Sequence, residues 1–478
     1  MKKNFLVLIN YSEKLPYFLK QLGSVIESDG QNCFYAVDSK FTSDIHFNGD
    51  EVGIFENFFE HSKECDSKVL DQYSDYPLNM ALLSDYERAE VFGFGGNRDN
   101  EYYLNLQSSL LSFFEKLIEK HNIDYIIYEN ISNSFAYFSS FVGHRLGIPY
   151  LGVTSSRVPG YFVTDSYVDY ESKKIQKSFG NIVLDDKVEI DFINSYLENL
   201  DNIVPDGIVG GNHSNLSLTS RYFNKRKILN LLISTKFIFS NTKDSYLIGS
   251  PFSLLLSSFK RSLLRKFKAK LLVKIYHNQL PDKPYFLYPL QFHPESSTSV
   301  RASNFLNELE VIRNIAFNLP NNTCLFVKDH PSSFGYPTIS FYKQIARLPN
   351  VCLVDPFYDT KALIKGSCGV VTLTSTVGYE ALLLSKRVLL FGSTFYEFHR
   401  NVTKFTTYEN VREVLMSFEA ERGSDSSISE YNRKFVAAYI RSSYKGVLNF
   451  DVNSEGFNSF CELSYGALKD SLSKFKYD

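Results

Sequence analysis

The chain has 478 residues, of which 44% are apolar and 22% charged, and it contains 42 phenylalanines and 32 tyrosines. At about three times the usual size of one domain, it holds enough large side chains for two hydrophobic cores, which excludes disordered, collagen-like and coiled-coil proteins. The formal net charge is only −2, so the whole chain attracts neither nucleic acid nor anionic lipid, and a polyanion must meet a local basic patch.

The cysteines and the apolar runs indicate a cytoplasmic protein. The six cysteines are scattered singly without CxxC spacing, which disfavours disulfide frameworks and zinc sites. The first apolar run, residues 5–9, is too short for a signal sequence, and no stretch approaches about 18 consecutive apolar residues. We therefore expect a cytoplasmic chain. No DxD-like pair stands at a strand end, which favours a site without a metal, and no cofactor is expected.

The N-terminal half alternates short apolar runs with amphipathic stretches, which is typical of α/β domains. Residues 5–9 are the first predicted strand. The clearest unit is a strand at 125–128, a helix at 134–146 and a second strand at 149–153. Because parallel strands end at one edge of a sheet, we expect Glu129 and the segment 154–157 to share the ligand-binding edge.

A basic segment follows a less regular stretch with a Gly/Asn/Ser-rich break at 207–215. Residues 260–274 carry seven basic side chains and no acidic one, with leucine and phenylalanine at helical spacing, which predicts a basic amphipathic helix at about 255–277. Two interpretations stay open. The helix packs its apolar side on the protein, or it contacts a membrane surface.

From residue 285 the chain predicts a second α/β unit. Five apolar strand-like runs alternate with four helical stretches up to about residue 391, the pattern of a Rossmann-like parallel sheet. After about residue 398 the chain becomes polar and helical. We predict domains at 1–280 and 281–400, followed by C-terminal helices at 401–478 that pack back across both.

Two loops of this second unit are candidate phosphate sites on neighbouring strands. Lys328 and His330 lie in the KDHP motif after one strand, and an ammonium and an imidazole held there can clasp a phosphate. The alternative is a structural His-Pro turn. Further along, hydroxyls and a glycine stand between a strand and a helix, with a glutamate in the first turn, and this pattern forms either an anion site or an ordinary N-cap. Its residues are Thr374, Ser375, Thr376, Gly378 and Glu380.

A third loop, PLQFHPESST, supplies the candidate catalytic and substrate-binding groups. Gln291, His293 and Thr298 are candidates for binding substrate, and Glu295 is a candidate catalytic carboxylate, although a solvated loop carboxylate is the alternative. We expect this loop to lie near a cleft between the two units, which Glu129 reaches from the first unit. Two carboxylates across a partly dry cleft can divide acid, base and nucleophile roles in glycosyl chemistry.

These motifs carry a family resemblance. Residues 285–396 resemble the glycosyltransferases of bacterial capsule and surface polysaccharide biosynthesis, a group that includes the retaining β-Kdo transferases, which use CMP-Kdo. The resemblance lies in YPLQFHPESST, in VKDHP and in TSTVGYEALLLSKRVLLFG followed by FY. The His-Pro loop with hydroxyls before a helix is also similar to the CMP-binding arrangement of bacterial sialyltransferases.

The resemblance implies a GT-B fold, two Rossmann-like domains that face each other across a cleft, with the nucleotide on the C-terminal domain. It implies a nucleotide-sugar donor, a glycan or glycolipid acceptor and no nucleic acid. The family has a Q-x-x-x-D pattern whose carboxylate is implicated as nucleophile. Here Gln291 is followed at that spacing by Glu295, whose longer side chain leaves retention or inversion open.

Three functions are consistent with the sequence. The first is transfer of a CMP-activated 2-keto sugar acid such as Kdo to a capsule or lipopolysaccharide O-antigen glycan, with peripheral membrane contact. The second is another enzyme on the same fold, either a polyol-phosphate transferase or a sugar-nucleotide epimerase. The third is a non-catalytic glycan-assembly subunit.

Overall fold

The computed structural model describes residues 2–47, 52–62, 64–94, 98–203, 235, 246–247, 249–277, 279–420 and 427–476. The predicted break at 207–215 lies outside these residues. Two sheets organise the described part of the chain, and each forms one unit with the helices around it.

The first unit is built on a seven-stranded sheet. Its strands are β1 (Asn4–Ile9), β2 (Asn32–Val37), β3 (Val52–Ile54), β4 (Tyr125–Tyr128), β5 (Tyr150–Ser155), β6 (Tyr161–Asp165) and β13 (Tyr444–Lys445). Their order is β13-β6-β5-β4-β1-β2-β3, and β1 to β5 run parallel. β1 is buried along Leu6 to Ile9 on both faces, which explains its continuous apolar run.

The helices of this part flank the sheet and line its edge. They are α1 (Leu15–Ser28), α2 (Lys40–His46), α3 (Phe55–His61), α4 (Ser67–Gln72), α5 (Leu78–Ala81), α6 (Leu83–Phe92), α7 (Asn100–His121), α8 (Ser134–Leu146), α9 (Tyr170–Gly180), α10 (Lys187–Glu198) and α11 (Pro251–Leu272). Local chemistry sets the ends of α8. Asn133 accepts from the Ala136 N–H at 3.0 Å at its start, and Gly147 with φ 71° ends it. The helix predicted at 134–146 is confirmed.

The second unit is built on a six-stranded parallel sheet. Its strands are β7 (Tyr285–Pro289), β8 (Cys324–Lys328), β9 (Val351–Val354), β10 (Gly369–Thr372), β11 (Val388–Leu390) and β12 (Val402–Lys404). Their order is β12-β11-β10-β7-β8-β9. The five predicted strands are confirmed. The sixth, β12, was missed because its three residues, VTK, lie at the sheet edge and lack an apolar run.

Helices cover both faces of this sheet and complete the chain. They are α12 (Ser296–Ser299), α13 (Glu308–Asn318), α14 (Ile339–Ala346), α15 (Thr360–Gly366), α16 (Thr376–Leu383), α17 (Val411–Ala420), α18 (Ser427–Arg441) and α19 (Phe457–Lys474). Phe435 and Tyr439 of α18 share a core with Tyr379 of the second unit and Ile193 of α10. The end of the chain therefore joins both units, since β13 belongs to the first sheet and α19 packs on α1.

The predicted fold class, an α/β fold with two Rossmann-like units and C-terminal helices, is confirmed. The domain boundaries at 280 and 400 stay predictions. Within the described residues, none of the helices combines the length and the apolarity that crossing a membrane requires.

Candidate active site

A cavity of about 450 Å³ lies where the two units face each other. Its walls come from the segments after β1 and β4, from α6 and α11, and from the loop after β7. The lining includes Asn10, Arg88, Glu129, Leu254, Leu255 and Glu295. The structure therefore brings together the two carboxylates that the sequence analysis singled out, Glu129 from the first unit and Glu295 from the second.

The cavity lies at a topological switch point. In the first sheet β1 stands between β2 and β4, so the chain leaves β1 and β4 toward opposite faces and opens a crevice between their carboxyl ends. Asn10 follows β1 and Glu129 follows β4, and both line the cavity. The second sheet repeats this order, with β7 between β8 and β10.

Contacts to its backbone fix the position of Glu129, and the surroundings of its carboxylate change its pKa. Tyr150 donates its hydroxyl to the Glu129 carbonyl at 2.9 Å, and a Cβ on Gly152 would lie 2.2 Å from that carbonyl, so only glycine fits beneath it. Ser132 donates to the carboxylate at 2.9 Å. Burial raises the pKa of Glu129 to about 6, against the Ser132 hydrogen bond and the charge of Arg88. Such a carboxylate can exchange a proton near neutral pH.

The sequence analysis missed Arg88, which α6 carries into the cavity. Its guanidinium lies 3.6 Å from Asp85, and buried Asp85 accepts from the Ser134 N–H at 2.8 Å, at the start of α8. The junction of α6 and α8 thus orients the cation toward Glu129. No motif marks it in the sequence, since an arginine on a helix is usually solvated.

Glu295 begins the short helix α12. Its backbone carbonyl accepts from Thr298 Oγ1 at 2.8 Å and from Ser299 Oγ at 3.0 Å, and Ser297 Oγ donates to its carboxylate at 2.9 Å. The Glu295 side chain is exposed at the wall of the cavity. Thr298, expected to bind substrate, is fully buried and its hydroxyl holds the turn.

Gln291 and His293 are gathered around a buried carboxylate that the sequence analysis missed. Glu308 accepts from the Gln291 N–H and the Tyr288 hydroxyl, both at 3.0 Å, and its other oxygen lies 3.1 Å from His293 Nε2. Burial lowers the pKa of His293, but the carboxylates of Glu308, Glu87 and Glu295 together outweigh burial and the pKa is raised. Gln291 and His293 line a separate cavity of about 250 Å³. They therefore contact the Glu295 loop on the side away from the large cavity. Glu308 was missed because an acidic residue at a helix start is typical of a solvated surface.

The loop after β8 carries the His-Pro motif. Lys328 is buried, donates to the Pro356 carbonyl at 2.7 Å, and has its pKa lowered to about 8 by burial. Asp329 accepts from Tyr276 at 2.6 Å and from the His330 N–H at 2.7 Å. His330 Nδ1 accepts from a backbone N–H at 3.1 Å, so the neutral ring carries its proton on Nε2. His330 thus has the form of a hydrogen-bond donor, while Lys328 braces the loop.

The loop after β10 carries the remaining candidate phosphate-binding residues, and several of them make contacts within the protein. Ser375 caps α16 by accepting from the Val377 N–H at 3.2 Å, and Thr374 donates to the Ser297 carbonyl at 2.7 Å, which ties this loop to the one carrying Glu295. A Cβ on Gly378 would lie 2.4 Å from the Tyr396 hydroxyl. The close approach expected for a ligand at Gly378 is therefore made by Tyr396.

Thr376 and Glu380 face away from the large cavity. They line a space of about 20 Å³ together with Arg157 and Lys361, a volume that holds about one water molecule. Burial raises the pKa of Glu380, against the charge of Lys361.

The strand order corrects one expectation. The two phosphate-type loops were predicted on neighbouring strands, but β7 lies between β8 and β10. The doubly wound order of a Rossmann-like sheet, in which the first strand stands between the second and the fourth, produces this insertion. As a result the loops after β8, β7 and β10 lie side by side at one edge, with the Glu295 loop in the middle. Among the described residues, no three His, Cys, Asp or Glu side chains are grouped so that they could hold a metal ion.

Residues 234–438 match the family model described as capsule polysaccharide biosynthesis protein. This segment contains the loops with His330, Glu295 and Ser375, whereas Glu129 lies outside it. A search of curated proteins finds no match to this chain.

Among solved structures, the chain is similar to two β-Kdo transferases of Thermosulfurimonas dismutans KpsC. The 2,7 transferase is 14% identical, with 75% of this chain and 89% of that chain covered and a TM-score of 0.37. The 2,4 transferase is 13% identical, with coverage of 66% and 79% and a TM-score of 0.36. A glycosyltransferase from Rickettsia africae is 12% identical, with coverage of 98% and 100% and a TM-score of 0.31.

The matched segment includes the three motif loops on which the sequence resemblance depends. Residues 234–438 are therefore similar to the capsule polysaccharide biosynthesis protein family, in agreement with the resemblance that the motifs carry.

Proposed function

We propose that this protein is a glycosyltransferase of capsule or related surface polysaccharide biosynthesis, which transfers a sugar from a nucleotide sugar to a glycan or glycolipid acceptor. One observation carries the proposal. Glu129 and Glu295 come from different sheets and line one cavity of about 450 Å³, large enough for sugar rings from both substrates. Paired carboxylates in such a cleft are the groups that glycosyl chemistry uses.

The donor phosphate is proposed to bind at the edge shared by the three loops of the second sheet. The Nε2–H of His330 and the Ser375 hydroxyl are donors suited to a phosphate, and the dipole of α16 favours an anion beside Ser375. The sequence resemblance supports a CMP-linked 2-keto sugar acid such as Kdo as the donor. Metal independence is part of the same proposal.

The two carboxylates have separate proposed roles. Glu295 attacks the anomeric carbon, the bond to the nucleotide phosphate breaks, and the nucleotide leaves. Glu129, ionised above pH 6 or so, then takes the proton of the acceptor hydroxyl, whose oxygen displaces Glu295. If Glu295 only binds the donor, Glu129 serves as base in a single displacement.

Helix α11 supports a membrane-associated acceptor. Leu254, Leu255 and Ser258 line the cavity, while Leu256, Phe267 and Leu271 each expose more than half of their surface. Apolar and basic side chains together suit an anionic lipid surface. We propose that α11 rests on the inner face of the cytoplasmic membrane beside the acceptor entrance.

Only part of the basic segment can serve this purpose. Arg265 is buried and donates to the Phe334 carbonyl at 2.8 Å, Lys268 donates to the Tyr336 carbonyl at 3.1 Å, and Arg261 lies over the Tyr336 ring. These three side chains pack on the protein. The membrane proposal therefore rests on the four other basic residues, Lys260, Lys266, Lys270 and Lys274.

We expect His330→Ala to weaken CMP binding by about 10- to 100-fold, roughly 1.4 to 2.8 kcal/mol, because one charge-assisted hydrogen bond is lost. Calorimetry with CMP, UDP and CDP-glycerol side by side measures the change and separates a sugar-nucleotide from a polyol-phosphate donor. His61→Ala, an exposed histidine on α3, is the matched control. Unchanged binding of all three nucleotides to His330→Ala would remove this residue from the donor site.

Glu295→Gln should abolish transfer while preserving nucleotide affinity and melting temperature, because the amide keeps the shape and loses the charge. Mass spectrometry of Glu129→Gln incubated with donor should find a sugar adduct on residues 291–298, since the second displacement is slowed. Glu310→Gln, an exposed carboxylate on α13, controls for the substitution. Near-normal turnover of Glu295→Gln contradicts the role, and an inverted product without an adduct assigns a single displacement to Glu129.

The pH dependence of transfer should show an acidic limb near pH 6, where Glu129 gains a proton. Arg88→Met removes the cation that favours the ionised carboxylate, so the pKa of Glu129 should rise and the limb should move to higher pH. Activity is then lost mainly at low pH and largely kept at high pH. Arg88→Lys keeps the charge and should leave the limb in place. A limb that ignores Arg88→Met would mean that another group titrates.

Replacing Lys260, Lys266, Lys270 and Lys274 with glutamine should reduce sedimentation with vesicles of anionic phospholipid, since each basic residue contributes up to about 1 kcal/mol near such a surface. Added salt should have the same effect on the unaltered protein. A control variant neutralises four exposed lysines elsewhere, Lys2, Lys120, Lys177 and Lys187. Equal sedimentation of the two variants would show that α11 is only a packed helix.

A further inference from the structure

Arg301 belongs by its backbone to the second unit. It follows α12, the single helical turn whose N-cap residue is Glu295. Its N–H donates to the Ser296 carbonyl at 3.2 Å, and its carbonyl accepts from the Ser393 N–H at 2.7 Å, after β11. One short hydrogen-bonded turn therefore connects the Arg301 backbone rigidly with Glu295.

The Arg301 side chain crosses into the first unit. Its guanidinium lies 2.6 Å from Asp165 and 4.0 Å from Glu171. Asp165 is fully buried at the end of β6 and also accepts from the Ser166 N–H at 2.9 Å. Glu171, on α9, is 8% exposed and accepts from the Tyr439 hydroxyl at 3.3 Å. Both carboxylates are thus fixed by other contacts and give the guanidinium a defined place.

The sheet register relates this contact to Glu129. Tyr128 on β4 is level with Gly152 on β5, and Gly152 is level with Asp165 on β6. Since neighbouring strands lie about 4.8 Å apart, Asp165 is about 10 Å from Tyr128 across the sheet. Tyr128 directly precedes Glu129. Arg301 therefore docks the Glu295 turn at a fixed offset from the carboxylate on the opposite side of the cavity.

A buried ion pair of this kind adds little net stability compared with apolar side chains, and its best-established benefit is a defined geometry. This contrasts with another ion pair between the two units, Lys365 with Asp201 at 2.6 Å, in which both side chains are about half exposed. An exposed pair contributes little to either stability or geometry.

We propose that Arg301 is a positioning residue, whose ion pairs with Asp165 and Glu171 dock the turn 295–301 on the first sheet and so set the separation of Glu295 from Glu129. The docking is a property of the fold. Its consequence for catalysis rests on the proposed function, which names these two carboxylates as the reacting groups.

The test compares Arg301→Met, Arg301→Lys and the control Lys365→Met. Hydrogen–deuterium exchange of residues 291–301 should increase severalfold in Arg301→Met, partly recover in Arg301→Lys and stay unchanged in Lys365→Met. The kcat for transfer should fall about 10- to 100-fold in Arg301→Met. The donor KM and the CMP affinity should change much less than kcat, because the His330 loop is not part of the docking contact, although the Thr374 hydrogen bond to Ser297 connects the donor site with the turn.

Asp165→Asn provides a second route to the same prediction, because it removes the charge from the other side of the contact with little change of shape. Unchanged exchange in both Arg301→Met and Asp165→Asn would overturn the docking. Raised exchange with unchanged kcat would overturn the positioning role. If the unaltered protein transfers no sugar from any nucleotide donor, the proposed function falls, whereas the exchange measurement still decides the docking.

Discussion

The reversal of strand order at the centre of each sheet determines where everything else can lie. Parallel strands that are buried on both faces need crossover helices on both faces, so the chain must at some point change the direction in which it winds. It does so between β1 and β4 and again between β7 and β10. Each reversal leaves a crevice at the carboxyl edge. The cavity forms at the first crevice, where the Glu295 loop from the second sheet covers it.

Buried carboxylates that do not face the cavity give the loops their shape. Glu308 accepts a hydrogen bond from the start of the Glu295 loop, and Asp329 accepts one from the His-Pro loop. Asp165, in the other unit, accepts from Arg301 at the end of the Glu295 loop. Burying a charge is costly unless hydrogen bonds compensate it. Each of these three carboxylates accepts hydrogen bonds at both of its oxygens. The rigidity of the loops thus depends on groups that take no part in the proposed chemistry.

The sequence could predict which segments meet, because strand ends determine position. Apolar runs located β4 and β7, and the residues that follow them, Glu129 and Glu295, do line one cavity. It could not predict which way a side chain points. Lys328 is the last residue of its strand and its side chain is buried in the protein, and Gly378 makes room for Tyr396.

Contacts between distant segments leave no local pattern at all. Arg88 and Arg301 stand among ordinary helical and loop residues, and only the folded chain shows what they touch. The sequence analysis missed the short edge strand β12 for a related reason, since its three partly exposed residues need no apolar run.

Helix α11 shows how one periodicity can serve two surfaces. Arg261, Arg265 and Lys268 recur at spacings of four and three residues, so they share one face of the helix. That face packs on the segment after the His-Pro motif. Lys266 and Lys270 are four residues apart and fall on another face, and Lys274 lies just beyond the end of the helix. The two interpretations of the basic segment are therefore not exclusive, because the packed face fixes the helix beside the cavity and leaves the second face to meet a partner.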